Sequence, residues 1–244
     1  ANASNTLVVV FHGASARASD FADSRASLRE LANQRGWVLA FPQGLDNASN
    51  TSSWSWASPP IADEWAATPP DDAGFALRFI DSAITQWGVN TDAVFLAGFS
   101  KGGRMVHHLA ALYPGRFAAA AITSSSIGAT FVNDPMFYYT PATTGALPVM
   151  LVHGLVDPQL PYEGSASVSP FSESVDRWRQ ANGCNMSPMQ STTGEVRTDA
   201  YMCSGAPLRA VSIQSLAHKW AEASDGFGWT MSEATVDFFT QHLP

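Results

Sequence analysis

Charge is scarce in this chain. Only 14% of its 244 residues are Asp, Glu, Lys or Arg, and 13 basic side chains face 21 acidic ones, for a formal net charge of −8. Lys101 and Lys219 are the only lysines. A chain so poor in cations offers no basic face, so neither nucleic acid nor an anionic membrane surface is an expected partner. Long hydrophobic runs are missing too. None approaches the ~20 apolar residues that a helix needs to cross a bilayer. Metal-ligand patterns are also lacking. His107 and His108 are adjacent, which on a helix sends them about 100° apart, whereas a chelating pair stands at i and i+4. They read as helix packing, and Asp71-Asp72 reads as a helix cap. No metal and no cofactor is implied. Cysteine is limited to Cys184 and Cys203, with no C-x-x-C pair and no ligand cluster around either.

Apolar residues are plentiful, at 45%, which fits a globular chain with a sizeable core. No internal repeat or linker interrupts it, so residues 1–244 read as a single domain. "TLVVVF", "WVLAF", "AVFLAGF", "FAAAAIT", "LPVMLVHG" and "LRAVSIQSL" are short, apolar runs, as strands buried on both faces are. Helical patterns alternate with them. One carries Leu28 and Leu31 on a face. A second starts at Asp71 or Asp72 as cap, with Phe75 and Phe79 on its inward stripe. A third repeats Met105, Val106, Leu109 and Leu112, and others lie around "ESVDRWRQANG" and "MSEATVDFFTQH". Residues 45–70, with Trp54, Trp56 and Trp65, read as irregular, and "NMSPMQSTTGEVRTDAYM" reads as a polar, turn-rich loop. Strands alternating with helices predict an α/β fold, a mostly parallel sheet covered by helices on both faces.

One junction in that pattern is unusual. "AVFLAGFSKGGRMVHHLAALYP" places Ser100 between a buried-type strand and a helix, with Gly98, Gly102 and Gly103 around it. Gly98-Phe99-Ser100-Lys101-Gly102 is a G-x-S-x-G nucleophile elbow, in which glycines permit the close backbone contacts of a sharp turn. A small-residue turn with an ordinary capping serine would look alike, so the reading depends on partners.

A serine hydroxyl is a poor nucleophile until a base takes its proton and a third group orients that base. With an elbow serine the chain order is Ser, then Asp or Glu, then His. Of the histidines after Ser100, His153 precedes its plausible acid and His242 lies beside the terminus. His218 follows the end of a strand, where active groups of such sheets gather. Asp157 likewise follows a strand, in the turn "GLVDP", whereas Asp134, Glu163, Asp176 and Asp199 fall on loops or helix faces. Ser100, Asp157 and His218 are therefore the candidate triad. The oxyanion needs two backbone donors: Lys101 supplies one as the residue after the serine, and Ala14, in the loop after the first strand, supplies the other.

Two free thiols or one disulfide fit Cys184 and Cys203. A disulfide is expected, because the pair flanks a polar loop in a chain with no other cysteine, and it implies an oxidising compartment. Asn2, Asn47, Asn50 and Asn185 each begin an N-x-S sequon, and the small, polar start "ANASNT" resembles an end left by a signal peptidase. Secretion is the expectation.

With these residues assembled, the chain resembles the secreted polyhydroxybutyrate depolymerase and feruloyl esterase group of the α/β-hydrolases, which includes carbohydrate esterase family one. The resemblance runs over nearly the whole length, on "FHGAS", "FPQG", "SWSW", "DDAGF", "GFSKGGRM", "HGLVDPQLPY", the Cys184 to Cys203 span and "LAHKW". It implies an α/β-hydrolase fold with little or no separate lid. The implied activity is carboxylic-ester hydrolysis by a monomer, with an ester substrate that is either polymeric, such as a polyester, or a feruloyl or aryl ester. Acetyl xylan esterase and serine peptidase chemistry use the same machinery, and a non-catalytic binding module could share the fold. Trp54, Trp56 and Trp220 are candidates for an aromatic rim around such a substrate, burial in the core being the other place for them.

Overall fold

A computed structural model describes residues 5–46, 54–56, 70–130, 136–142 and 146–244. Asn2, Asn47, Asn50, Trp65 and Asp134 lie outside the described residues. In chain order the elements are β1 (Leu7–Phe11), α1 (Ala18–Asp23), α2 (Ala26–Gln34), β2 (Val38–Ala40), β3 (Leu45–Asp46), β4 (Trp54–Ser55), α3 (Asp72–Trp87), β5 (Val94–Phe99), α4 (Lys101–Leu112), β6 (Ala119–Thr123), β7 (Gly128–Ala129), β8 (Phe137–Tyr138), β9 (Val149–Gly154), α5 (Phe171–Ala181), β10 (Met189–Thr193), β11 (Val196–Tyr201), β12 (Leu208–Ile213) and α6 (Met231–Thr240).

Eight strands form one sheet in the order β10-β11-β12-β9-β6-β5-β1-β2. Pairing is parallel from β12 through to β2 and antiparallel along β10-β11-β12. Strand alternation divides the core into two layers. Leu7, Val9, Phe11, Leu96, Ile122, Leu151 and Leu208 pack on one face with Ile80, Met105, Leu109 and Trp178 of α3, α4 and α5. Val8, Val10, Phe95, Ala97, Met150, Val152 and Val211 pack on the other with Leu28, Phe238 and Phe239 of α2 and α6. Helices thus cover both faces.

Three expectations need correction. The segment between the cysteines is a hairpin rather than a loop: β10 and β11 pair antiparallel, with Gly194 at φ 58° in the turn between them. The inward stripe of α3 is Ala73, Ala76, Ile80 and Ala83, while Phe75 is exposed and Phe79 only partly buried. Asp71 does cap this helix, accepting the Gly74 N–H at 2.7 Å. Leu112 is exposed at the end of α4. Cys184 and Cys203 are joined in a disulfide.

The strand order places the site. The chain leaves β1 toward β2 on one side and returns through β5 on the other, so the order reverses at β1. The crevice beyond the carboxyl ends of β1 and β5 is where such sheets bind ligands. The residues there are His12-Gly13-Ala14 and Ser100.

Candidate active site

Ser100 follows directly on β5, and α4 begins with the next residue. Its backbone has φ 56° and ψ −118°, a strained conformation for a residue with a Cβ, costing about 1–3 kcal/mol. The surroundings hold it there: its N–H donates to Thr123 O at 3.0 Å, and its carbonyl accepts from Arg104 N at 3.1 Å. Gly102 explains why the next turn needs glycine. A Cβ there would lie 2.1 Å from the Phe11 carbonyl oxygen, so α4 meets β1 backbone to backbone. The Ser100 hydroxyl caps nothing on its own helix.

It meets a histidine instead. Ser100 Oγ lies 2.8 Å from His218 Nε2, and His218 Nδ1 lies 2.7 Å from Asp157 Oδ2. An ionised carboxylate only accepts, so Nδ1 carries the ring proton and Nε2 presents its lone pair to the serine O–H. Asp157 sits in the turn after β9, where Oδ1 accepts the N–H groups of Gln159 and Leu160, both at 2.9 Å. Burial pushes this carboxyl up, but the hydrogen bonds from His218, Leu160 and Gln159 and the His218 charge together outweigh it, leaving it below the ordinary carboxylate value. It is therefore a carboxylate near neutral pH. The ring of Phe99 packs 5.0 Å from that of His218.

The loop after β1 passes close by. A Cβ on Gly13 would lie 2.9 Å from the Phe99 ring and 3.4 Å from Ser100 Cβ. Ala14 is exposed, and Lys101, the first residue of α4, is buried despite its charge. The backbone amides of Ala14 and Lys101 thus belong to the two segments that flank the serine.

Residues 1–169, which include this loop, the elbow and Asp157, match the family model described as Esterase PHB depolymerase. The chain belongs to that family. It is 28% identical over 167 residues to a probable feruloyl esterase C of Aspergillus niger, covering 66% of this chain and 56% of the relative. Over 261 residues it is 23% identical to a poly(3-hydroxybutyrate) depolymerase of Ralstonia pickettii, covering 96% of this chain and 52% of that one. The chain spans about half the length of the curated relatives it matches. Among solved structures, an acetyl xylan esterase from Aspergillus awamori superposes with a TM-score of 0.66 at 16% identity, covering 97% of this chain and 90% of the other. A Bacillus cereus carboxylesterase gives 0.60 at 13%, covering 99% and 90%. The fold is that of the α/β-hydrolases.

In this member of the esterase PHB depolymerase family, Trp56 and Trp220 lie in the core rather than on a rim. Trp56 is fully buried, its Nε1–H donating to His12 O at 2.9 Å. Trp220 is buried as well, donating to Ser232 Oγ at 3.2 Å under the Arg25 guanidinium. Each indole N–H needs a partner once buried, and each finds one inside. Trp54 falls in β4, and its side chain lies outside the described residues. Trp220 has a role nevertheless, because it anchors the loop that carries His218. Arg25 adds a 2.5 Å ion pair to Glu222 of the same loop, and Asp225 accepts from Lys219 and from the Glu222 N–H.

Sequence reasoning gave no role to two further histidines of this family member, His153, which it set aside as a base, and His12. His153, in β9, donates from Nε2 to Leu160 O at 2.8 Å and stands 3.5 Å from Asp157 Oδ2. Burial holds it below its ordinary value against the pull of the Leu160 carbonyl and the Asp157 charge, so it is neutral. His12, fully buried, lies at the base of the loop after β1. The only signal for either was its place at a strand's carboxyl end.

Proposed function

We propose that this protein is a secreted carboxylic-ester hydrolase, acting as a single-domain monomer through a Ser100-His218-Asp157 triad and an acyl-enzyme. The observation that carries the reading is the unbroken contact chain from Ser100 Oγ to His218 Nε2, at 2.8 Å, and from His218 Nδ1 to Asp157 Oδ2, at 2.7 Å. His218 takes the serine proton as Oγ attacks the ester carbonyl, and Asp157 stabilises the imidazolium so formed. The Ala14 and Lys101 amides hold the oxyanion. The leaving alkoxide takes the proton from His218, and a water, deprotonated by the same ring, then releases the acid. The names of its relatives support feruloyl, acetylxylan and poly(3-hydroxybutyrate) esters as the substrate class. The disulfide is compatible with an oxidising, extracellular setting.

A fluorophosphonate probe tests the nucleophile, and a panel of p-nitrophenyl esters, methyl ferulate, acetylated xylan and poly(3-hydroxybutyrate) tests the substrate. The probe is expected to label Ser100, and Ser100→Ala to lose on the order of 10⁶ in turnover while remaining folded. A Ser100→Ala protein that keeps a tenth of the wild-type rate refutes the reading.

A further inference from the structure

The tautomer of His12 is fixed by its neighbours. The Gly44 N–H lies 2.9 Å from His12 Nε2. A backbone amide can only donate, so Nε2 is the unprotonated nitrogen and the ring proton sits on Nδ1. The side-chain nitrogen of Gln43 approaches the same Nε2 at 3.2 Å as a second donor. Gln43 is itself held, its Oε1 accepting from Ala18 N and its Nε2 donating to Gly44 O. His12 Nδ1–H is thereby aimed at the Gly13 carbonyl, 2.7 Å away. Burial holds the ring below its ordinary value, against the pull of that carbonyl, so it is the neutral form that makes these bonds.

The Gly13 carbonyl shares a peptide unit with the Ala14 N–H. A trans peptide is planar, and its C=O and N–H point in opposite directions. With the carbonyl turned onto a buried ring, the Ala14 N–H points away from that ring, at an exposed residue next to Gly13, which itself lies against Phe99 and Ser100. The preceding peptide is fixed too, because Trp56 Nε1–H donates to the His12 carbonyl and the indole packs 4.9 Å from the imidazole.

We infer that His12 is a positioning residue for the oxyanion donor. By holding the Gly13 carbonyl through Nδ1–H, it sets the direction of the Ala14 amide, while Gly44, Gln43 and Trp56 lock the ring that does so. His12 itself touches neither substrate nor the reacting atoms. The inference rests on the ester-hydrolase reading above and adds a role that the triad does not contain.

An oxyanion donor acts on the transition state more than on the bound substrate, which separates positioning from packing. The test is steady-state hydrolysis of a soluble aryl ester, per folded molecule, by His12→Leu and His12→Asn, two side chains of similar shape. Leucine cannot hold the carbonyl, so kcat is expected to fall ten- to a hundredfold with KM within threefold. Asparagine can donate from Nδ2 to the Gly13 carbonyl and is expected to recover most of that loss. Affinity for a trifluoromethyl ketone, which adds the serine to form a stable oxyanion, should fall with kcat in the leucine variant.

A folded His12→Leu protein with kcat within twofold of wild type overturns the inference, as does an equal loss in the asparagine variant. Should His12→Leu fail to fold, nitrogen-proton NMR of the histidine-labelled wild-type protein decides. An Nδ1–H tautomer at His12 is expected, and an Nε2–H tautomer overturns the assignment. Ser100→Ala in the same assay keeps the two readings apart. If it is inactive while His12→Leu is not, only the role of His12 fails; if it is active, the ester-hydrolase reading fails first.

Discussion

Gly154→Ala should disable the site without touching any of its functional side chains. Gly154 ends β9, paired with Ile213 of β12, and its φ is not in the left-handed region, so the backbone alone would accept alanine. The contact would not. A Cβ there would lie 1.9 Å from the carbonyl oxygen of Leu216 and 2.6 Å from its carbonyl carbon. Non-bonded carbon and oxygen normally approach to about 3.3 Å, so the two backbones must separate by roughly 1.4 Å. Leu216 lies two residues before His218, and Asp157 lies three residues after Gly154. The added methyl therefore drives a wedge between Asp157 and His218. Their bond, 2.7 Å long, ceases to be a hydrogen bond once stretched to about 3.6 Å. Misplacing a catalytic group by about 1 Å costs on the order of 10²-fold in rate, and overpacking costs about 1–3 kcal/mol of stability. Initial rates on a saturating p-nitrophenyl ester, with a thermal melt to establish folding, check both figures. A folded variant with kcat within threefold of wild type would show that the Leu216 carbonyl moves aside freely, and the reasoning would be wrong.

Asp157→Asn should stay folded and lose about 10⁴ in turnover, because the imidazole loses the acceptor that fixes its tautomer. The wild-type carboxyl is depressed below 3.8, so its stabilisation is present above that value and is lost as pH falls through the lower folded value; the variant's stability should vary less with pH below 4, and denaturant midpoints that fall just as steeply would contradict this. His107 accepts Trp178 Nε1–H at 3.1 Å, and burial, followed by the Arg104 charge, holds it down to about 3 from 6.5. The unfolded chain takes up this proton first, so stability falls with pH, by about 2 kcal/mol between pH 7 and 5 for this group. His107→Asn, which keeps an acceptor for Trp178, should flatten that fall by the same amount, and an unchanged slope rules the account out. Replacing both Cys184 and Cys203 with serine should cost about 3 kcal/mol, given a sequence separation of 19, with ester turnover per folded molecule unchanged; a cost below about 0.5 kcal/mol would show that the hairpin closes equally well without the bond.

The central strands were legible because each is apolar on both faces and ends at a turn signal. Val8 and Val10 serve one layer while Leu7, Val9 and Phe11 serve the other. The β10-β11 hairpin was not, for a physical reason. All five residues of "MQSTT" in β10 are exposed, so no buried face imposes a period of two, and the strand exists through its ladder to β11 and the turn at Gly194. The register of α3 failed differently. Its sheet-facing stripe is mostly alanine, which lets helix and sheet approach closely, whereas a search for large apolar residues favours Phe75. Trp56 and Trp220 failed as rim residues because composition says nothing of depth. Only a carbonyl such as that of His12 shows where an indole N–H can be buried.

The histidines show how far chain order reaches as an argument. It selected His218 over His153, yet both imidazoles stand within 3.5 Å of the same carboxylate oxygen. What separates them is the element each belongs to. His153 follows Val149 and Leu151 in the β9 alternation, and its ring packs at 5.9 Å from Tyr162 and 5.4 Å from Phe171, beneath the crevice. Its Nε2–H is committed to the Leu160 carbonyl, so it cannot offer a lone pair there. His218 stands in a loop beyond β12, clear of the strand's alternation, and a loop can turn an imidazole across the strand ends toward Ser100. A base for an elbow serine must come from such a loop, because a side chain within a strand points into one layer or the other and stays below the hydroxyl. Chain order points to the histidine that lies 2.8 Å from Ser100 Oγ because it tracks which strand end the loop leaves. The same geometry makes His153 a support for the Leu160 end of the Asp157 turn, a role that no ordering of serine, acid and histidine along a chain could have signalled.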